Sequence, residues 1–102
     1  MSISVLKNDE LNRFEIYSDG ELAGFAEFKI ANQKISYTHT EIDPRFSGKG
    51  LGSQLIKEAL DEVLEQNLEV APYCSFVSAY IKKNSEKYLH LVPEGLRAKF
   101  DL

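Results

Sequence analysis

Asp43-Pro44-Arg45-Phe46-Ser47-Gly48-Lys49-Gly50-Leu51-Gly52 separates two halves of the chain that keep different periods. Before it, apolar residues recur at every second position, as in strands; after it they recur every three to four, as in helices. The segment therefore joins the end of a strand to the start of a helix. Glycines at 48, 50 and 52 let backbone N–H groups approach an anion closely, and a helix N-terminus adds about half a positive charge. Arg45 and Lys49 supply full charges, so a phosphate or pyrophosphate is the natural guest. The spacing fits neither the P-loop, which follows its last glycine with Lys-Ser/Thr, nor the dinucleotide fingerprint G-x-G-x-x-G. A tight corner with no ligand is the other reading of these glycines.

Upstream, Arg13 to Ser18 alternates polar and apolar residues and Asp19-Gly20 is a hairpin signal. Glu21 to Ile30 resumes the alternation with Leu22, Ala26, Phe28 and Ile30 on one face. After a turn at Ala31-Asn32-Gln33, strict alternation over Lys34 to Ile42 places Ile35, Tyr37 and His39 on one face and Ser36, Thr38, Thr40 and Ile42 on the other. Ile3 to Leu6 adds a short edge strand to this antiparallel meander. Downstream, Leu51, Leu55, Ile56, Ala59, Leu60, Val63 and Leu64 mark an amphipathic helix that ends near Asn67. Leu68 to Ala71 reads as a short strand stopped by Pro72. A strand, helix and strand in that order imply a right-handed crossover and a parallel partner. Ser75 to Asn84 repeats the helical spacing with Phe76, Val77, Tyr80 and Ile81, and Ser85 to Leu91 adds one or two turns.

The length agrees with one domain over residues 1–102, and strands followed by helices with the α/β (α+β) class. Of the 102 residues, 43% are hydrophobic and 27% charged, which places the chain among globular rather than disordered sequences. A formal charge of −4 argues against a general attraction to nucleic acid or anionic lipid. The single cysteine, Cys74, permits neither an internal disulfide nor a multi-thiolate metal site, and no metal is expected. No apolar run has the length of a membrane span, Met1 to Asn8 is unlike a signal peptide, and a cytoplasmic location is expected. An exposed edge strand in so small a unit fits a monomer or a weak homodimer.

Arg45-x-x-Gly48-x-Gly50 resembles the Q/R-x-x-G-x-G/A signature of the GCN5-related N-acetyltransferases, whose loop holds the pyrophosphate of acetyl-coenzyme A. The preceding strand through Thr38-His39-Thr40-Glu41-Ile42-Asp43-Pro44 and the following helix, strand and helix occur in the family's order. His39-Thr40-Glu41-Ile42, Pro72-x-Cys74-x-Phe76-Val77 and Ala79-Tyr80-Ile81 are similar to its small, single-domain branch, and the resemblance spans essentially the whole chain. Asn84-Ser85 stands where that branch often has His-Pro. The resemblance implies a mainly antiparallel sheet with a strand-loop-helix-strand-helix core that binds acetyl-CoA. The implied coenzyme contacts are Thr40, Glu41 and Ile42 along the strand and Arg45, Phe46, Ser47, Gly48, Lys49, Gly50, Leu51 and Gly52 in the loop. It further implies acetyl transfer to an amine, by direct attack in a ternary complex. A coenzyme A or acyl-CoA binding module without turnover is the alternative.

Acetyl transfer needs a proton acceptor for the amine and a proton donor for the departing thiolate. The resemblance places a general acid at Tyr80, which otherwise is a core aromatic of the Phe76-Val77-Ile81 face. Glu41 and His39, two apart on one strand, share a side and either can accept a proton; Glu41 also attracts a cationic amine. Both are otherwise surface or structural groups, and His90 is read as structural. Cys74, before a helix, is a candidate acyl-carrying thiol or a small buried residue. Little chain remains for an acceptor pocket, which suits a macromolecular amine such as a protein or peptide.

Overall fold

The computed structural model describes residues 2–102. Five strands form one sheet in sequence order: β1 (Ile3–Asn8), β2 (Arg13–Ser18), β3 (Glu21–Ala31), β4 (Lys34–Ile42) and β5 (Glu69–Pro72). Neighbours are antiparallel except β4 and β5, which are parallel and joined through the helix α1 (Leu51–Gln66). The helix α2 (Ser75–Lys83) follows β5, and the short helices α3 (Ser85–Tyr88) and α4 (Glu94–Arg97) complete the chain together with 3-10 turns. This is the α/β class expected. The edge strand is two residues longer than its β-branched residues suggested, Pro72 is the last residue of β5 rather than the residue after it, and the helical turns after Val92 were not foreseen.

Local chemistry accounts for the corners. Asp19 and Gly20 have φ of 50° and 84°, and Asn32 and Gln33 have 52° and 62°, so both hairpins turn on two left-handed residues that match the twist of the strands. Asn67, at φ 55°, ends α1, and its N–H donates to the Val63 carbonyl. The apolar stripe of α1 (Leu55, Ile56, Ala59, Leu60 and Val63) packs with Phe14, Ile16, Phe28, Ile35 and Tyr37 of the sheet and Val77 and Ile81 of α2 in a single core. Tyr37 is buried in it and its hydroxyl donates to the Ala59 carbonyl at 2.9 Å, joining β4 to α1. Burial pushes its pKa far above the usual phenol value. No helix is long and apolar enough to cross a membrane among the described residues.

Two irregularities overturn the strict alternation expected for β3 and β4. The β2–β3 register shifts between Ile16 and Tyr17, which pair with Gly24 and Leu22, so Ala23 is an extra residue. Ala23 is buried and Leu22 turns to the other face, beside Tyr17, at 37% exposure. Ile30, near the second turn, is also exposed rather than inward. The β3–β4 register shifts where Phe28 pairs with Tyr37 but Glu27 with His39, leaving Thr38 extra. Beyond that bulge the faces of β4 exchange. Thr40 and Ile42 join Ile35 and Tyr37 on the helix side, while His39 and Glu41 point away from it.

The face away from the helices carries a buried carboxylate. Glu15, 5% exposed, accepts from Tyr17 Oη at 2.8 Å, Arg13 Nε at 2.7 Å and Asn8 Nδ2 at 3.2 Å. Burial raises its pKa, but these hydrogen bonds outweigh burial and hold the carboxyl below the usual range. A carboxyl depressed by folding contributes stability above its unfolded value, near pH 4, and loses it as pH falls through the folded value. Glu15→Gln is therefore expected to lose less stability than the native chain between pH 5 and pH 3 in urea titrations; equal losses would show that another group sets the acid limb.

Candidate functional site

Asp43 opens the loop. Its Oδ1 accepts from the Arg45 N–H at 2.9 Å and caps the 3-10 turn Pro44–Phe46, for which proline at the first position suits the fixed φ. The chain then enters α1 through Gly48 and Gly50 at φ 78° and 74°, a left-handed conformation that glycine adopts without cost. Gly50 is the N-cap residue, and no side chain caps α1. The first-turn N–H groups consequently face outward without a side-chain acceptor, and nothing lies within 4 Å of where a Cβ at Gly48 or Gly50 would stand. A helix terminus of this kind favours an anion.

Beside the loop, the sheet opens. β5 pairs with β4 only from Lys34 to Tyr37, and the last link is the Cys74 N–H donating to the Tyr37 carbonyl at 2.9 Å. From Thr38 to Ile42, β4 pairs with β3 alone, so a gap widens between β4 and the start of α2. Cys74 is the N-cap residue of α2, half-buried, and its Sγ lies 3.3 Å from Thr40 Oγ1 across this gap. A cleft of about 260 Å³ runs along the loop between Ile42, Phe46, Gly50, Gly52 and Phe76. Phe76 was expected in the core with Val77 and Ile81; it is 43% exposed, since its ring lies over Gly52. A Cβ at position 52 would stand 2.6 Å from Phe76 Cζ, so this glycine admits the close approach of α2 to α1.

The expected site residues fall into three places. Thr40, Ile42, Cys74 and the loop surround the gap and its cleft. Tyr80 lines a second cleft of about 470 Å³, with Ser53, Phe76, Ala79, Lys83 and Asn84, and its ring lies 5.9 Å from that of buried Tyr88. Ser53 and Phe76 line both clefts. Glu41 and His39 lie on the opposite face of the sheet, exposed, with Nε2 of His39 3.3 Å from Oε2 of Glu41. Tyr88, which sequence reading passed over, donates to Asp61 at 2.7 Å and ties α3 to α1 behind Tyr80.

The cation expected to be free for phosphate is already paired. Arg45 Nη2 lies 3.2 Å from Asp43 Oδ2 and its Nη1 3.4 Å from Glu21, while the guanidinium stacks 5.3 Å from the Phe46 ring centre. The hydrogen bonds from Arg45 hold the Asp43 carboxyl below its ordinary value. Asp43, two residues earlier, was the sequence signal for this pairing; Glu21, from the first hairpin, gave none. Because Arg45 is exposed and shared among carboxylates, Arg45→Ala is expected to weaken binding of an anion at the loop only about two- to fivefold by calorimetry, the scale of a screened surface charge.

A family model for the GCN5-related N-acetyltransferases matches residues 13–91, a span that includes the sheet from β2 onward, the loop, α1 and α2. The chain belongs to this family. Among its relatives, the protein NATD1 of Gallus gallus is 33% identical over 66 residues, covering 63% of this chain and 60% of that one. NATD1 of Xenopus tropicalis is 31% identical over 55 residues, covering 54% and 50%. The chain thus spans about half to three fifths of the length of these curated relatives. The fold is shared with a GCN5-like protein of Staphylococcus aureus solved by NMR, at a TM-score of 0.64 and 21% identity over 88% of this chain and 87% of that one. PaiA N-acetyltransferase of Thermoplasma acidophilum, solved in complex with coenzyme A, overlaps at a TM-score of 0.51 and 25% identity over 55% of this chain and 35% of that one.

Proposed function

We propose that this chain transfers an acetyl group from acetyl-CoA to an amine. The observation that carries the reading is the uncapped glycine N-terminus of α1 beside the gap between β4 and β5. The N–H groups from Gly48 to Gly52 suit the pyrophosphate, with Arg45 and Lys49 at the rim, and the cleft between Ile42 and Phe76 suits the pantetheine arm. Backbone groups of Thr40 to Ile42, free of a β5 partner, are available to pair with that arm. Transfer is direct: the amine nitrogen bonds to the acetyl carbon, the carbon–sulfur bond breaks, Glu41 takes the ammonium proton and Tyr80 protonates the thiolate. Glu41, on the far face, serves an amine that comes through the gap from that side.

Two further readings have specific support. The Cys74 thiol in the gap, at the N-terminus of α2, supports an acyl-cysteine intermediate; a Cys74→Ala chain that retains full turnover eliminates it, and full turnover is the outcome expected for direct transfer. Separation of Glu41 and Tyr80 into different depressions favours a binding module without turnover. Calorimetry with coenzyme A and acetyl-CoA, followed by thiol release with lysine peptides and amines, decides between them. Binding with amine-dependent release is expected; binding without release leaves the module, and no binding at high micromolar concentration removes both.

A further inference from the structure

We propose, resting on the transferase reading above in which Tyr80 protonates the thiolate, that Tyr88 is a positioning residue for Tyr80, anchored to α1 through Asp61. The end of α2 holds the backbone of Tyr80 firmly. Its carbonyl accepts from the Asn84 N–H at 3.1 Å and from Asn84 Nδ2 at 3.0 Å, which closes the last turn. The side chain, half-buried at the second cleft, keeps its own torsions, each with staggered alternatives. Its ring lies against that of Tyr88, with 5.9 Å between centres and a tilt of 42°.

Tyr88 is itself fixed at both ends. Its side chain is 1% exposed within the core, and its hydroxyl donates to Asp61 Oδ1 at 2.7 Å. A buried phenol needs an acceptor, and a bond to a carboxylate is of the stronger, charge-assisted kind. Asp61 is held in turn from two helices: Lys57 Nζ of α1 lies 2.8 Å from its Oδ2, and Lys87 Nζ of α3 lies 3.3 Å from its Oδ1. A line of contacts thus runs from α1, whose N-terminus opens on the glycine loop, through Asp61 and Tyr88 to the Tyr80 ring. A general acid contributes only within hydrogen-bond reach of the atom it protonates, and a misplacement of about 1 Å costs on the order of 100-fold in rate. Support of the Tyr80 ring is therefore a contribution to turnover and not to coenzyme affinity.

The test compares the native chain with Tyr88→Leu, Tyr80→Phe, the two combined, and Tyr88→Phe, each first shown folded by circular dichroism. Thiol release from acetyl-CoA with a lysine peptide is expected to fall about tenfold in kcat for Tyr88→Leu, at unchanged KM for acetyl-CoA. Tyr88→Phe, which keeps the ring and loses the bond to Asp61, should fall about two- to threefold. In the Tyr80→Phe background Tyr88→Leu is expected to add nothing, because the group it positions is gone. Proton spectra read the positioning without turnover: the α–β couplings of Tyr80, unequal for one staggered rotamer in the native chain, should average together in Tyr88→Leu. Native kcat in Tyr88→Leu, an equal fall in both backgrounds, or couplings that stay unequal overturns the proposal. Failure of the transferase reading looks different: Tyr80→Phe then keeps native kcat, or the native chain releases no thiol, while the couplings still decide whether Tyr88 holds the ring.

Discussion

Gly50→Val is expected to lower the affinity for coenzyme A at least about tenfold, or about 1.4 kcal/mol. Two effects act together. At φ 74° a β-branched residue is strained by about 1–3 kcal/mol, so the loop relaxes away from the geometry that aims its N–H groups outward. The new side chain also projects into open space at the uncapped end of α1, the space an anion needs. Gly20→Val is the control, because Gly20 has a similar φ of 84° and similarly open surroundings but sits at the first hairpin. Calorimetry on both variants, after circular dichroism shows each folded, should find the loss in Gly50→Val alone. Equal affinities would remove the loop as the phosphate site.

Gly24→Ala is expected to cost about 2–3 kcal/mol of stability, the scale of overpacking a tight core, and about 10 °C or more in melting temperature for a chain of this size. A Cβ at position 24 would stand 2.5 Å from the Glu41 carbonyl and still closer to Ile42 Cδ1. The first obstacle is backbone and cannot rotate aside, so β3 and β4 must separate at the point where Gly24 faces Ile42. Thermal melts measure the loss. Because β4 past its bulge also forms one wall of the gap, coenzyme affinity should fall in the same variant at temperatures where it remains folded. A melting temperature within a degree or two of the native value would contradict the close packing.

The elements themselves were largely legible, for local reasons. Asp19-Gly20 and Asn32-Gln33 supply residues that tolerate positive φ, the stripe from Leu51 to Val63 buries one helical face, and Asn67 stops it. The loop was legible because its chemistry is backbone chemistry: glycines at a helix start leave N–H groups exposed whatever surrounds them. The catalytic candidates were less so. The face of Glu41 and His39 depends on the bulge at Thr38, which shifts the register by one residue and reverses what lies beyond it, as the bulge at Ala23 does for Leu22. No residue type announces a bulge, since the extra residue is defined by its partner strand. Phe76 was misplaced for a similar reason, its exposure being set by the room over Gly52 on another helix.

The sequence by itself determined a meander, a glycine loop and two helices in an order that brings an uncapped helix N-terminus to the end of a β-strand. Those features rest on φ preferences, periodicity and unpaired N–H groups, all of which act within a few residues. Tertiary structure alone decided that Arg45 also meets Glu21, that Thr40 meets Cys74 across the gap, and that Glu41 faces away from Tyr80. Each is a contact or an orientation set by segments distant in the chain, through strand register and packing, for which local sequence carries no code.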